Sequence, residues 1–452
     1  MSRPNTEPEY RASILPRSVR DASFSRRGFL SGSMVAGAAV GLPALLAACG
    51  GSSSGTSKTS SGSAATTAGA STTSGAAAST TATGTVSFGS NYSDPATKAA
   101  FAALTQQATQ ATGAKIKTNT VDHNTFQNNI NSYLQGTPDD LFTWFAGYRM
   151  QFFAGKGLAS PLDDVWDKIG ANFSDATKAL SKGKDGHYYF VPIYNYPWVV
   201  FYNKSTFKAK GYTVPTTWDQ FITLAKKMKT DGLVPIAFAD KDLWPALGMF
   251  DIINLRVNGY DYHMSLMQHK TAWTDKGVTQ VFDQWAQLMP YLQPDANGRI
   301  WQDAATALEN KKAGMMFQGT NQVAANYNPK NLPDLDFFPF PTINTAYGQD
   351  YMDAPADGFM MSKKPKNKSG AEAILNYIGS GPAETAFLKT DKWDVGLATN
   401  ISVSNYDAIQ KKSAKAIAAC KAVAQFGDRD TDPGFASNVL EPAIQKLSLI
   451  HI

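Results

Sequence analysis

Short β-rich runs alternate with helix-forming runs from residue 85 to about 447. That alternation constrains the fold more than any single motif, because it calls for mostly parallel sheets covered on both faces by helices. Val86-Ser87-Phe88 predicts a first strand, and Asp94-Pro95 caps and starts a helix over 96–112 that Gly113 stops. Residues 115–121 alternate as a strand, 125–134 read as an amphipathic helix, 141–145 as a strand and 148–154 as a helix. Further on, Thr217-Trp218-Asp219-Gln220 is a capping box that opens a helix over 218–230, followed by a strand at 234–239 and a helix at 243–257. Helices at 275–289 and 303–310 and strands at 313–317, 335–340 and 358–362 continue the pattern. The remaining helices are expected at 369–378, 382–388, 405–426 and 434–447.

One stretch interrupts this order. YYFVPIYNYPWVVFYNKSTF, residues 188–207, holds two strand-like pieces separated by Tyr194-Asn195-Tyr196-Pro197. Pro192 and Pro197 each remove a ladder donor, which disfavours one continuous central strand. The reading is a crossing between two α/β lobes, where small-molecule clefts lie; a single buried strand with a bulge is the alternative.

The first 84 residues do not read as fold. Arg26-Arg27-Gly28-Phe29-Leu30 precedes a short apolar run at 34–48 that ends Leu46-Ala47-Ala48-Cys49. Paired arginines ahead of such a run form a twin-arginine export signal, and the Gly- and Pro-rich run is too short to span a membrane comfortably. Leu-Ala-Ala-Cys resembles the bacterial lipobox, which makes Cys49 the expected lipidated first residue of the mature chain and 1–48 its signal peptide. After Cys49, residues 50–84 are Gly, Ser, Thr and Ala with one charge, Lys58, so that 49–84 comprise the lipidated Cys and its tether. This composition gives a flexible tether whose ends lie on the order of 30 Å apart. Residues 1–48 carry six arginines against three acids, so the formal net charge of +5 falls to +2 on their removal. No nucleic-acid partner is implied. With Cys420 the only other thiol, an intramolecular disulfide framework is excluded; Cys420 reads as a packed thiol in a helical run at 411–426.

Taken in order, several phrases resemble the extracellular solute-binding proteins of bacterial ABC importers, in the carbohydrate-binding group that includes maltose-binding protein. They are Gly136-Thr137-Pro138-Asp139-Asp140, Gly157-Leu158-Ala159-Ser160-Pro161-Leu162 and Val191-Pro192 followed by Tyr202-Asn203-Lys204. Pro215-Thr216-Thr217-Trp218-Asp219, Ala313-Gly314-Met315-Met316 and Lys366-Asn367-Lys368 complete the series. The resemblance implies a type II periplasmic-binding-protein-like α/β fold: two lobes, a hinge and an interlobe cleft. The expected lobes are 85–193 with 321–384, and 194–320 with 385–446. It also implies a monomer on the outer face of the cytoplasmic membrane, anchored through Cys49, passing a carbohydrate to the permease subunits of an importer without cofactor or catalysis. The family would continue past Gln445 with another helix, whereas residues 447–452 resemble translated adapter sequence more than helix.

Sugars are held by aromatic faces against their C–H faces and by carboxylates, amides or Arg on their hydroxyls. Such groups belong at the C-terminal ends of strands in open α/β sheets. Reading those ends gives Asn91 and Tyr92, Tyr148 and Arg149, Asn195, Tyr196 and Trp198, Asp240 and Trp244, and Gln318 and Asn321. Asp353 and Asp357, Trp393 and Asp394, and Arg429 complete the candidates. Each has a plainer reading. Trp198 can be core, Asp240 a helix cap, Arg149 the partner of an acid, and Asp353 and Asp357 turn formers around Pro355. Trp166, Trp218 and Trp285 fall at apolar helical spacing and read as core. No metal site is expected: the five histidines miss ligand spacing, and Asp428-x-Asp430-x-Asp432 has Pro433 where a calcium loop needs its Gly. Two other readings share this sequence. A glycoside hydrolase needs a carboxyl pair, for which Asp353 and Asp357 are the only nominees. The same fold can also take an amino acid, polyamine or peptide.

Overall fold

A computed structural model describes the backbone of residues 84–451 and the side chains of residues 84–446. The segments read as export signal, lipidation site and tether, up to residue 83, lie outside the described residues, as does Ile452.

In chain order the strands are β1 (Thr85–Ser90), β2 (Lys115–Thr120), β3 (Leu141–Phe145), β4 (Val191–Asn195), β5 (Trp198–Asn203) and β6 (Val234–Ala237). They continue as β7 (Ala313–Gly319), β8 (Leu335–Phe338), β9 (Tyr351–Asp353), β10 (Ala356–Met361) and β11 (Ala422–Ala424). Lobe one is built on a five-stranded sheet of order β2-β1-β3-β10-β4, and lobe two on a four-stranded sheet of order β6-β7-β5-β8. The break in the 188–207 stretch falls where expected. β4 pairs with β10 in the first sheet, β5 pairs with β7 and β8 in the second, and only Tyr196-Pro197 lies between them.

Local rules account for most elements. β1 buries Val86 and Phe88 on alternate positions, while the edge strand β2 is polar and exposed, KIKTNT, which discourages further strand addition. The helix Pro95–Thr112 starts at Asp94-Pro95 and closes on Gly113, whose N–H reaches the Thr109 carbonyl. The helix Trp218–Thr230 carries the Thr217/Gln220 capping box. Trp166, Trp218 and Trp285 are buried.

The sheets correct the expected lobe boundaries in two places. β8 returns antiparallel onto β5, so the region around 335–338 belongs to lobe two. The helix Gly381–Thr390 lies against the lobe-one helix Pro95–Thr112, with the Thr97 hydroxyl donating to Asp391 at 3.0 Å. Asn195 exchanges both backbone hydrogen bonds with Val395, so the chain remains with lobe one well past residue 385. The tail also differs from the all-helical expectation. Its helix stops at Ala418, and β11 pairs in parallel with β9. Cys420 is therefore in the turn after the helix, half-buried, its thiol facing the carbonyls of Ala416 and Gln349. The final helix, Glu441–His451, continues through the segment read as adapter-like and non-helical.

Candidate functional site

A cleft of about 360 Å³ opens between the lobes. Lobe one supplies a polar wall. Asn91 and Tyr92 follow β1, His123 begins a helix, Tyr194 lies in β4 and Asp357 in β10. Lobe two supplies an aromatic wall of Trp198, Trp244 and Trp301, with the amides Gln302, Asn321 and Gln322 beside it. The short helix Gly427–Asp430 closes one end with Phe426, Asp428 and Arg429.

The aromatic wall is preorganised by packing. Trp198 meets Trp244 edge to face, with ring centroids 6.0 Å apart and planes at 87°, and lies 4.8 Å from Phe426. Both rings rest on Gly248, where an added Cβ would come within 2.6 Å of Trp198 and 2.8 Å of Phe426. Two residues beside this wall have left-handed backbones without being glycine: Leu243 (φ 71°), just before Trp244, and Phe426 (φ 89°). Each such conformation costs about 1–3 kcal/mol and persists only where surrounding contacts enforce it.

The polar wall is organised around two buried ion pairs. Arg429 donates to Asp357 at 2.5 Å and to the Tyr196 hydroxyl at 3.0 Å, with its guanidinium 4.0 Å from the Phe145 ring centroid. Tyr194 donates to the other Asp357 oxygen at 2.9 Å. Burial pushes the Asp357 carboxyl above its ordinary range, and Arg429 opposes that shift. Behind this, Arg149 donates to Asp428 at 2.6 Å and to Gln127 at 2.7 Å. His123 is held neutral, its pKa driven down to about 4 by burial and by the nearby Arg429 and Arg149 cations. Among the described residues, Asp428 Oδ1, Asn321 Oδ1, Gln322 Oε1, Trp198 Nε1 and Trp244 Nε1 find no hydrogen-bond partner. Buried groups of this kind call for a ligand or solvent that both donates and accepts.

Of the residues singled out in the sequence, Asn91, Tyr92, Tyr196, Trp198, Trp244, Asn321, Asp357 and Arg429 line this cleft. The other eight do not. Arg149 is one layer behind, as the partner of Asp428. Asp240 accepts from Ala246 N–H at 2.9 Å and so steadies the start of the Trp244 helix, as a cap would. Tyr148 lies under Lys184, whose ammonium is 4.1 Å from the ring centroid. Asn195 is committed to the β4 backbone, Gln318 is buried in β7, and Trp393 packs into the core of lobe two. Asp394 is buried, with its carboxyl pushed up by burial and by the neighbouring Asp391. Asp353 is fully buried and does not line the cleft. His123, Trp301, Phe426 and Asp428 were not anticipated. Trp301 begins a helix just as Trp244 does, a signal that was available; Phe426 was obscured by reading 405–426 as continuous helix, and Asp428 was weighed only as part of a calcium-loop pattern. Among the described residues no group of His, Cys, Asp and Glu forms a metal site.

The chain belongs to the bacterial extracellular solute-binding protein family, whose model matches residues 89–384. Among solved structures it is similar to the bacterial solute receptor AcbH, at 66% identity over 82% of this chain and 94% of that one, with a TM-score of 0.80. AcbH is described as having an exclusive substrate preference for β-D-galactopyranose. A chitin oligosaccharide binding protein shares the fold at a TM-score of 0.73 and 20% identity, over 81% of this chain and 94% of its own. An uncharacterized ABC transporter extracellular-binding protein of Pyrococcus horikoshii is 26% identical over 287 residues, which is 62% of this chain and 63% of that protein. A probable sugar-binding periplasmic protein of Rhizobium meliloti is 27% identical over 282 residues, 60% of this chain and 66% of its own length. The chain thus spans slightly less than two thirds of these two relatives.

Proposed function

We propose that this protein captures a neutral monosaccharide of the galactopyranose type in its interlobe cleft and delivers it to an ABC importer. The observation that carries this reading is the pairing of opposed walls. Trp198, Trp244, Trp301 and Phe426 offer ring faces on one side, and Asn91, His123, Asp357, Asp428 and Arg429 offer hydrogen-bonding groups on the other. A pyranose has this two-sided chemistry, with apolar C–H faces and an equatorial belt of hydroxyls that donate and accept at once. Amino acids and polyamines do not require so many rings. The likeness to AcbH supports galactose within the class.

Capture works by closure. The chain passes between lobes at Tyr196-Pro197, again at Ala354-Pro355 between β9 and β10, and a third time ahead of β11. Short crossings of this kind act as a hinge. Across the lip, Asn124 of lobe one donates to Asp242 of lobe two at 3.2 Å. A sugar touching both walls binds the closed form more tightly and shifts the population towards it; a permease that favours the open form takes the sugar over. Export through Arg26-Arg27 and lipidation of Cys49 would hold the protein, as a monomer, at the outer face of the cytoplasmic membrane.

Hydrolysis is disfavoured by the geometry. Of the nominated carboxyl pair, Asp353 does not line the cleft and Asp357 is bound to Arg429 and Tyr194. Equilibrium dialysis of the full chain against labelled galactose, glucose, mannose, lactose and galacturonate tests the reading. Galactose is expected to be retained at one per chain and recovered unaltered. Retention of no saccharide, or release of hexose from lactose, would refute it.

A further inference from the structure

Helix Trp244–Asn258 carries three residues of one face, Trp244, Gly248 and Asp251, at the i, i+4, i+7 spacing. Trp244 reaches the cleft, Gly248 seats Trp198 and Phe426, and Asp251 does something the sugar reading has not used. It is fully buried and accepts from the Gly427 N–H at 2.6 Å, directly behind Phe426. Gly427 has no room for a side chain there: an added Cβ would lie 2.8 Å from Asp251 Oδ1. The contact fixes the peptide next to the left-handed Phe426 and sets the origin of the short helix that presents Asp428 and Arg429.

The surroundings of Asp251 are acidic. Asp353 faces it from β9, with both its oxygens buried and unpartnered, and Asp430 and Asp428 face it from the helix Gly427–Asp430. The Asp430 carboxyl accepts from Gln425 N–H at 2.8 Å, on the other side of Phe426. Among the other charged and titratable groups, Arg256 faces Asp353 from the next turns of the helix, and Tyr260 faces Asp430. His263 is neutral and beside Asn254, Glu441 is turned to Asp428 from the final helix, and Arg429 is engaged by Asp357. Among the described residues the only cation near Asp251 and Asp353 is thus Arg256, already hydrogen-bonded to Phe340 O, Gln349 and Tyr351 O. Three carboxyls in a dry site with so little compensating charge cannot all ionise.

We propose that Asp251 is a positioning residue of the sugar cleft: together with Asp430 it clamps the Phe426–Arg429 segment in its binding shape, and sugar affinity depends on the buried acid cluster these two form with Asp353 retaining its protons. The inference rests on the carbohydrate reading above and adds to it a pH dependence whose origin lies outside the ligand's contacts. Burial raises all three carboxyls, helped by Asp353 and Asp430 at Asp251, by Asp430 at Asp353 and by Asp428 at Asp430, which is pushed to about 7; the clamp is therefore intact in mild acid and loosens as alkali strips it.

The test is calorimetric titration of the full chain with β-D-galactopyranose at pH 6, 7.5 and 9. Wild type is expected to bind about tenfold more weakly at pH 9 than at pH 6. Asp353→Asn, which touches neither Gly427 nor the cleft, should lessen that dependence, because one of the three buried acids no longer ionises. Asp251→Ala should weaken binding about tenfold or more at pH 6, the scale of one buried N–H left unpaired, and Asp251→Asn, which keeps an acceptor oxygen, should restore it. A wild-type affinity that is flat with pH, or Asp251→Ala binding within about threefold of wild type, overturns the proposal. Should galactose not bind the wild type at all, the carbohydrate reading fails by itself. The clamp is then read in the unliganded protein from hydrogen exchange at residues 425–430: faster exchange in Asp251→Ala than in wild type at pH 6 supports it, and unchanged protection overturns it.

Discussion

Arg429→Met separates the electrostatic role of this side chain from its bulk. The arginine is 8% exposed, Asp357 is 6% exposed, and the pair is closed at 2.5 Å with the Tyr196 hydroxyl as a further partner. Removing the cation leaves a buried carboxylate facing Tyr194 alone, a loss of about 3–5 kcal/mol in unfolding free energy at neutral pH. The loss depends on pH with a definite sign. The folded pKa of Asp357 is already raised by burial, and Arg429 is what restrains it. Without Arg429 it rises further, so the carboxyl takes up a proton in the folded variant. Stability from such a raised group is complete below the unfolded value of about 3.9 and is lost as pH climbs through the folded value. The penalty of Arg429→Met should therefore be small near pH 4 and complete by pH 7.5. Urea unfolding followed by tryptophan fluorescence measures it. The double variant Arg429→Met/Asp357→Asn removes the uncompensated charge while keeping the Tyr194 hydrogen bond, and should regain about 2 kcal/mol or more at pH 7.5. A double variant no more stable than Arg429→Met would refute the argument.

Three other outcomes follow from the cleft. Trp244→Ala should cost about 2 kcal/mol of sugar affinity, roughly thirtyfold, while the unliganded melting temperature moves little, because Trp244 is only partly buried; titration and thermal melting read the two effects separately. Gly248→Ala should overpack the platform by about 1–3 kcal/mol and weaken binding through Trp198 and Phe426, visible as a changed tryptophan emission together with a weaker dissociation constant. The His123 ring should show no titration of its C2 proton resonance until the pH approaches 4; the stability tied to its neutral form is lost as pH falls from about 6.5 to about 4, where the unfolded chain binds a proton that the folded chain refuses.

The lobes and their crossing were legible because they depend on local rules. Pro192 and Pro197 disfavour one long strand, and β4 and β5 do fall in different sheets. β8 was not legible as a lobe-two strand. Its sequence, LDFF, suits any half-buried sheet position, and the antiparallel return to β5 is a matter of tertiary pairing. The cleft residues divide in the same way. Trp198, Trp244 and Asp357 stand next to strand ends or crossings, where a ligand reaches an open α/β sheet. Phe426 and Asp428 follow a three-residue strand whose flanks are helical in composition, so nothing local marks the turn, and the left-handed Phe426 backbone is enforced from outside by Asp251 and Gly248. Asp353 stands beside a crossing as a ligand contact would, but it is fully buried where β9 pairs with β11, away from the cleft lining.

Calorimetric titration of the full chain with β-D-galactopyranose near pH 6 tests the central claim most directly. One site per chain is expected, with a binding heat that becomes more exothermic on warming as the rings are covered, and no heat from galacturonate at the same concentration. Absence of a binding isotherm with galactose and every other neutral hexose would contradict the account.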